Sequence, residues 1–286
     1  MLMENADRIS IKSPAKVNLC LKILGERSDG YHDIFSVMQA VNLFDEIVIE
    51  KSKKFSTSVS GTKISGKNIV DVAYEKLCEF LGWEPEVSVR ILKKIPVGAG
   101  LGGGSSNAAF FLMGMNKLFN LRLSVRQLMK IGASVGSDVP FFFSGGSAIV
   151  RGRGEIVESI ELPTNYYIVL IAPDFSINTK WAYSQFRNSL TSAEKIKYFS
   201  KLSSQNFFEK ISDFENDFEK IIFEKFFDIS KAILLMRDLG AALALVSGSG
   251  SSFFGIFKNR DDAQAAYNMD WAGKKFLLHP ISYDLS

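Results

Sequence analysis

Cysteine is nearly absent: Cys20 and Cys78 are the only two in 286 residues. Two widely separated thiols make neither a disulfide framework nor the close pairs of a zinc site. Histidine is as scarce, with His32 and His279 alone, too few and too far apart to supply a metal cluster. An excess of one charge is missing too. Lys plus Arg number 34 against 31 Asp plus Glu, a net charge of +3, so no global field argues for nucleic acid or an anionic membrane as partner. No apolar run reaches the roughly 20 residues of a membrane span. Residues 1–10 carry Glu4, Asp7 and Arg8, unlike a signal peptide. Internal repeats and low-complexity linkers are lacking as well. A reducing cytoplasm is the default location, and the oligomeric state stays unspecified.

Hydrophobic residues make up 47% and charged residues 23%, the balance of a globular chain with a sizeable core. Val17, Leu19, Leu21 and Ile23 alternate with Lys16, Asn18, Cys20 and Lys22, the period of a half-buried strand. Lys16 and Asn18 therefore share its polar face. Glu46–Glu50, Val87–Ile91, Tyr167–Ala172, Leu243–Val246 and Phe253–Phe257 read as further strands. Asn68 predicts a helix cap, with Ile69, Val72, Ala73, Leu77, Phe80 and Leu81 as the buried stripe. Helices are predicted from Ser105 to Phe119 and from Ser124, where Ser124 and Gln127 have capping-box spacing, to Gly136. Arg151 to Gly154 reads as a tight turn between two strands. A phenylalanine-rich stretch from about Ser192 to Leu239 reads as helical, stopped by Gly240. Mixed elements without regular βαβ alternation place the fold in the α+β class, divided at about residue 163 into segments 1–163 and 164–286.

Between the strand ending near Ile91 and the helix at Ser105 lies Pro96-Val97-Gly98-Ala99-Gly100-Leu101-Gly102-Gly103-Gly104-Ser105-Ser106, with five glycines in seven positions. Such spacing lets backbone N–H groups approach a ligand without Cβ obstruction. The following helix start adds unpaired N–H groups and partial positive charge. Together these predict a phosphate site. Gly98, Gly100 and Gly103 also satisfy the dinucleotide fingerprint, but that reading needs an acid about 20 residues on. From Val87 to Ser137 the chain has no Asp or Glu, so the nicotinamide-dependent reading fails. No Lys-Ser or Lys-Thr follows the glycines, so a Walker loop fails too. The acid-free, lysine- and arginine-bearing window suits a polyanion such as a triphosphate.

These residues resemble the central ATP-binding motif of the GHMP kinases, the family of galactokinase and of homoserine, mevalonate and phosphomevalonate kinases. The resemblance covers most of the chain. Ser13-Pro-Ala-Lys16-Val-Asn18-Leu is similar to the family's first motif, and Leu245-Val-Ser247-Gly-Ser-Gly250-Ser-Ser252 to its third. Further stretches narrow the resemblance to one branch, whose substrate carries a cytidine diphosphate group. These are Arg27-Ser-Asp-Gly30-Tyr31-His32, Gly136-Ser-Asp138-Val-Pro140-Phe-Phe, Gly152-Arg-Gly154-Glu155 and Asn216-Asp217-Phe-Glu219. Ser137, where alanine is common, and the bulky Phe141–Phe143 depart from that pattern. The resemblance implies two domains with the active site in their cleft, ATP and Mg²⁺ as cofactors, and phosphorylation of an alcohol.

It also implies that Lys16 and Asp138 are the catalytic pair. A carboxylate can accept a hydroxyl proton while an ammonium keeps it ionised and offsets phosphoryl charge. Removal of the proton and mere orientation of the hydroxyl both remain open for Asp138. Residues Pro96 to Ser106 would hold ATP, with Ser105 or Ser106 reaching a phosphate oxygen or the metal, or serving as the helix cap. Tyr31 and His32 would take cytosine by stacking and edge hydrogen bonds. Tyr183 would form a second aromatic wall, and Asn18 would touch the sugar or phosphate part. The loop Ser247 to Ser252 is read first as a buttress and second as a phosphate contact. Metal ligands stay unassigned. Another kinase of the same family, or a silent nucleotide-binding relative, is the alternative reading.

Overall fold

Residues 2–62, 66–186 and 202–285 are described in the computed structural model. Strand β1 (Leu2–Asn5) leads into two long strands, β2 (Arg8–Glu26) and β3 (His32–Lys51), which pair antiparallel along nearly their whole length. The hairpin between them closes at Gly30, whose φ of 79° suits the turn, with Tyr31 O accepting from Arg27 N at 2.7 Å. β2 carries register shifts at Pro14/Ala15, Asn18/Cys20 and Ile23/Gly25, the bulges that bend a strand and re-aim its side chains. With β4 (Ser56–Ser60), β5 (Val87–Leu92), β6 (Ser147–Gly152) and β7 (Ile156–Ser159) they complete a seven-stranded sheet.

Helices α1 (Ile69–Leu81), α2 (Gly103–Leu118) and α3 (Val125–Val135) cover one face of that sheet. Ala73, Leu77, Ala108, Phe111, Leu112 and Met115 meet Ile9, Ile11, Ile47, Ile49 and Val89 in one core. A second, antiparallel sheet has the order β11-β8-β10-β9, formed by β8 (Tyr167–Ala172), β9 (Leu243–Val246), β10 (Phe253–Phe257) and β11 (Lys274–Leu278). Helices Phe227–Asp238 and Arg260–Asn268 pack on one face through Ile229, Ile233, Met236, Ala263 and Ala266. The other face shares a core with the first sheet, where Ile168, Leu170, Leu245 and Phe254 meet Val17, Leu19, Phe35 and Val37. After β11 the chain returns to the first sheet. Pro280 bridges Val41, Ile281 N donates to Ala40 O, and Gln39 Nε2 donates to Ile281 O at 3.1 Å.

The α+β class stands, and several local readings change. The strand through Lys16 is not half-buried: Lys16, Asn18, Cys20 and Lys22 are 0–4% exposed, because the second sheet and its loops cover what alternation marks as the polar face. Helix α1 buries Val70, Ala73, Tyr74 and Leu77, whereas Phe80 is 41% exposed. α2 starts at Gly103, ahead of Ser105. Gly136 ends α3 as foreseen, but in an extended conformation with φ −176°. The start of the phenylalanine-rich tract, from Ser192, lies outside the described residues. Its described part is broken into Phe207–Lys210, Glu219–Lys225 and Phe227–Asp238. Between the first two, Asn216 bridges Leu21 of β2. Asn216 and Asp217 turn their side chains onto backbone groups, the local competition that makes such residues poor helix formers.

Candidate active site

A cavity of about 930 Å³ opens between the two sheets. Its walls include Lys16, Asn18, Tyr31, His32, Asp138, Arg153, Tyr183, Gly248, Ser249 and the stretch Pro96–Ser105. Sequence positions more than a hundred residues apart thus converge on one space.

The glycine loop lies along it. A Cβ on Gly100 would fall 2.0 Å from Ser247 O, and one on Gly102 2.9 Å from Lys16 Cγ, both at positive φ. No other residue fits either place. Gly102 is the N-cap of α2 and offers no side chain to the helix start, so bare backbone faces the cavity, as an anion site requires. Neither serine is the cap. Ser105 lines the cavity. Ser106 is fully buried and shares a 2.7 Å hydrogen bond with Ser13 Oγ, so its assignment to phosphate is withdrawn. Ser106 follows Ser105 by one position on a helix, and a turn of about 100° aims it inward.

Lys16 sits beneath the loop. Its Nζ donates to Asn18 Oδ1 at 2.5 Å and to Gly100 O at 3.0 Å, and lies 3.4 Å from Asp138 Oδ2. The lysine side chain is 3% exposed and the Asp138 carboxylate 33%. The buried cation is therefore held while the acid still meets the cavity. Asp138 is presented just before the short helical turn Pro140–Phe143, whose three phenylalanines are core residues; their bulk sits behind the site. Asn18 engages both ends of its amide, since Nδ2 also donates to Ser36 Oγ at 2.9 Å. It lines the cavity at 1% exposure and fixes the lysine head.

A second buried pair escaped sequence reading. Lys93 Nζ is in ion-pair contact with Asp45 Oδ2 and donates to Asn107 Oδ1 at 3.2 Å. The other Asp45 oxygen accepts from Lys94 N at 2.8 Å and Ile95 N at 2.9 Å, and Asn107 Nδ2 donates to Ser13 Oγ at 3.0 Å. The acid-free window is thus true of the sequence but not of space: Asp45 enters from β3 and is fully engaged at the root of the loop. Asp45 and Lys93 stand 48 positions apart, and no short-range pattern pairs them.

At the far end, the His32 and Tyr183 rings lie 5.1 Å apart. His32 Nε2 is 3.1 Å from Phe186 O. A carbonyl can only accept, so that nitrogen bears the hydrogen and the neutral ring keeps Nδ1 as an acceptor. Tyr31 is 49% exposed, with the Arg153 guanidinium 5.0 Å from its ring. Burial, then the Asp138 charge, raises the Tyr183 hydroxyl above the usual phenol range. Arg153 had no sequence signal of its own beyond its place in Gly152-Arg-Gly154.

The third loop buttresses the glycine loop. Ser247 Oγ donates to Gly100 O at 3.0 Å and Ser252 N to Ala99 O at 3.3 Å, while Gly248 and Ser249 line the cavity. Among the described residues, no group of three or more His, Cys, Asp and Glu could hold a metal ion, and no helix is long and apolar enough to cross a membrane.

A glycine cradle, a buried lysine beside a part-exposed aspartate and two sheets meeting at one cleft define a small-molecule kinase. Residues 68–146 match the family model "GHMP kinases N terminal domain" and residues 196–269 match "GHMP kinases C terminal". The chain belongs to the GHMP kinase family. It is 40% identical over 264 residues to a 4-diphosphocytidyl-2-C-methyl-D-erythritol kinase of Thermodesulfovibrio yellowstonii, covering 90% of this chain and 93% of the relative. It is 37% identical to the kinase of the same name from Acetivibrio thermocellus, with 93% and 97% covered. A crystal structure of 4-(cytidine 5'-diphospho)-2C-methyl-D-erythritol kinase superposes with a TM-score of 0.78 at 29% identity, covering 96% of this chain and 99% of that one. The homoserine kinase from Cytophaga hutchinsonii shares the fold, with a TM-score of 0.74 at 20% identity and coverage of 98% and 97%. Within the family, the chain falls in the 4-diphosphocytidyl-2-C-methyl-D-erythritol kinase branch.

Proposed function

We propose that the protein transfers the γ-phosphoryl group of ATP to the 2-hydroxyl of 4-diphosphocytidyl-2-C-methyl-D-erythritol, a step of the non-mevalonate route to isoprenoid precursors. The observation that carries the reading is the Lys16–Asp138 pair at 3.4 Å. It shares one cavity with the glycine cradle and with Tyr31, His32 and Tyr183. A nucleotide phosphate needs the first and a pyrimidine the second.

In this reading the backbone of Gly98–Gly104 and Ser105 grips the ATP phosphates. The acceptor hydroxyl approaches Asp138, whose carboxylate orients it and takes its proton as the oxygen bonds to the γ-phosphorus. The bond from that phosphorus to the β–γ bridging oxygen breaks, and ADP leaves with the electron pair. Lys16 lies beside Asp138 and against the developing equatorial charge. Because phosphoryl transfer passes through a loose transition state, positioning counts for more than base strength. Mg²⁺ suits the site as a partner of the phosphates, since it binds through few carboxylates plus phosphate oxygens and water; Asp138 and Ser105, which both line the cavity, would be the side chains to hold it. There it would neutralise charge on the β- and γ-oxygens. His32, with Nε2–H tied to Phe186 O, offers Nδ1 as acceptor to the exocyclic amine of cytosine, and Tyr31 and Tyr183 offer ring faces.

Incubation of the purified protein with ATP, Mg²⁺ and the cytidine substrate should give ADP and one phosphorylated product, read by coupled assay and ³¹P NMR. Turnover of mevalonate, homoserine or galactose instead would move the chain to another branch of the family. Nucleotide binding without turnover of any acceptor would make it a silent relative.

A further inference from the structure

The segment Glu215–Glu219 is a polar cluster that phosphoryl transfer leaves unused, and its bonds run to both halves of the site. Asn216 is 3% exposed. Its Nδ2 donates to Val246 O and to Gly248 O, each at 2.8 Å, and its Oδ1 accepts from Phe218 N at 3.0 Å. All three of those bonds are directed, and both donors end on one turn. Glu219 Oε1 accepts from Val246 N at 2.9 Å, so the start of the third glycine loop is held through both its N–H and its carbonyl.

The same segment also grips the strand of the catalytic lysine. Leu21 N donates to Glu215 O and Asp217 N to Leu21 O, each at 2.9 Å. Asp217 Oδ2 accepts from Ile23 N at 2.8 Å, and Lys22 Nζ, on a side chain 5% exposed, meets both Asp217 and Glu215. The loop thus held reaches the chemistry directly. A Cβ on Gly248 would lie 3.3 Å from Gly100 O and 3.4 Å from Asn18 Oδ1. Gly100 O is the acceptor for both Lys16 Nζ and Ser247 Oγ, at 3.0 Å each.

We infer that Asn216 is a positioning residue for phosphoryl transfer: by fixing the carbonyls of Val246 and Gly248 it sets the third loop against Gly100 and Asn18, and through them the lysine head. The Gly248 carbonyl is thereby engaged by Asn216, and the orientation of that peptide at the cavity wall is set. The inference rests on the ATP-kinase reading of the cleft, and it concerns the nucleotide side alone. Tyr31, His32 and Tyr183 make none of these bonds.

The test compares Asn216→Ala and Asn216→Asp with the parent protein. Both should lower kcat by about 10- to 100-fold and raise the KM for ATP, with the KM for the cytidine substrate moving less than about twofold. Aspartate has the same shape but, when ionised, presents oxygen to two carbonyls. Protonated, it can donate one hydrogen bond again. The Asp variant's deficit should therefore shrink toward about pH 6 and deepen toward about pH 8.5, while the Ala deficit stays level. Lys22, Glu215, Asp217, Glu219 and Arg237 surround the position, and a carboxylate introduced at 216 couples to them, so the Ala variant, which brings no new charge, is the reference for their own titration. A residue that only stabilised the fold would shift melting but not these kinetic deficits. Variants with parental kcat and ATP KM, equal change in both KM values, or failure of both variants to fold would each overturn the inference. If the parent itself neither binds nor turns over ATP, by tryptophan fluorescence and assay, the fault lies with the kinase reading instead.

Discussion

Lys16 shows how much one buried charge needs around it. An ammonium this deep is stable only when paired and hydrogen-bonded, and Asp138, Asn18 and Gly100 O meet that need. Asp138→Asn keeps the shape but removes the charge and the proton acceptor. It should lower kcat by about 10²- to 10⁴-fold while ATP still quenches tryptophan fluorescence; full turnover in that variant would rule out the role given to Asp138. Glu219 tests a different quantity. Burial, opposed mainly by the Val246 N–H, raises its carboxyl from the ordinary 4.5 to about 7. The folded chain then binds this proton more tightly than the unfolded one, so stability falls as pH rises from about 4.5 to about 7 and stays lower above. Glu219→Gln should flatten that stretch of the denaturation-midpoint profile and leave the variant the more stable of the two above pH 7. At this scale the sequence was informative where one motif held the partners, as for Lys16 with Asn18 or Tyr31 with His32. It was silent on Asp45 with Lys93, and it misjudged Ser106, because helix phase and long-range pairing decide those cases.

Elements were most legible where burial was simple. The strands Tyr167–Ala172, Leu243–Val246 and Phe253–Phe257 have the bounds that their apolar runs suggest, and Ser124 with Gln127 closes a capping box. The phenylalanine-rich tract misled because its apolar density reads as one amphipathic run, while Asn216 and Asp217 spend their side chains on β2 and the third loop. A half-buried β2 was a fair inference from alternation and was wrong because a second sheet, remote in sequence, covers it. The glycine loop offers the test at this scale. Gly100→Ala combines a φ of +77° with a Cβ that would sit 2.0 Å from Ser247 O, so backbone strain of about 1–2 kcal/mol adds to displacement of the third loop. A lower melting temperature and an ATP KM raised by about tenfold or more are expected, with parental behaviour in both contradicting the contact between the two loops.

Across the whole molecule, the stretch after β11 ties the far end of the chain to the first sheet. Ile281 N and Tyr283 N donate to Ala40 O and Gly145 O, Gln39 donates to Ile281 O, and Tyr283 OH reaches Phe142 O at 3.2 Å. Removing residues 281–286 uncovers Phe110, whose ring lies 5.4 Å from that of Tyr283 at 58°, and takes away the hydrogen bonds to Ile281 O, Ala40 O, Gly145 O and Phe142 O. A loss of about 2–4 kcal/mol, or several degrees in melting temperature for a chain of this size, is expected. An unchanged melting curve would make the contact ornamental.

That same return has a consequence for birth on the ribosome. Synthesis runs from residue 1 upward, so β2, β3 and the phosphate-gripping helix emerge long before Ile281 and Tyr283. The seam beside Gln39 has to wait until residues 280–283 have been made. A nascent chain stalled short of residue 280 should stay open to protease along that seam, and only release should seal it.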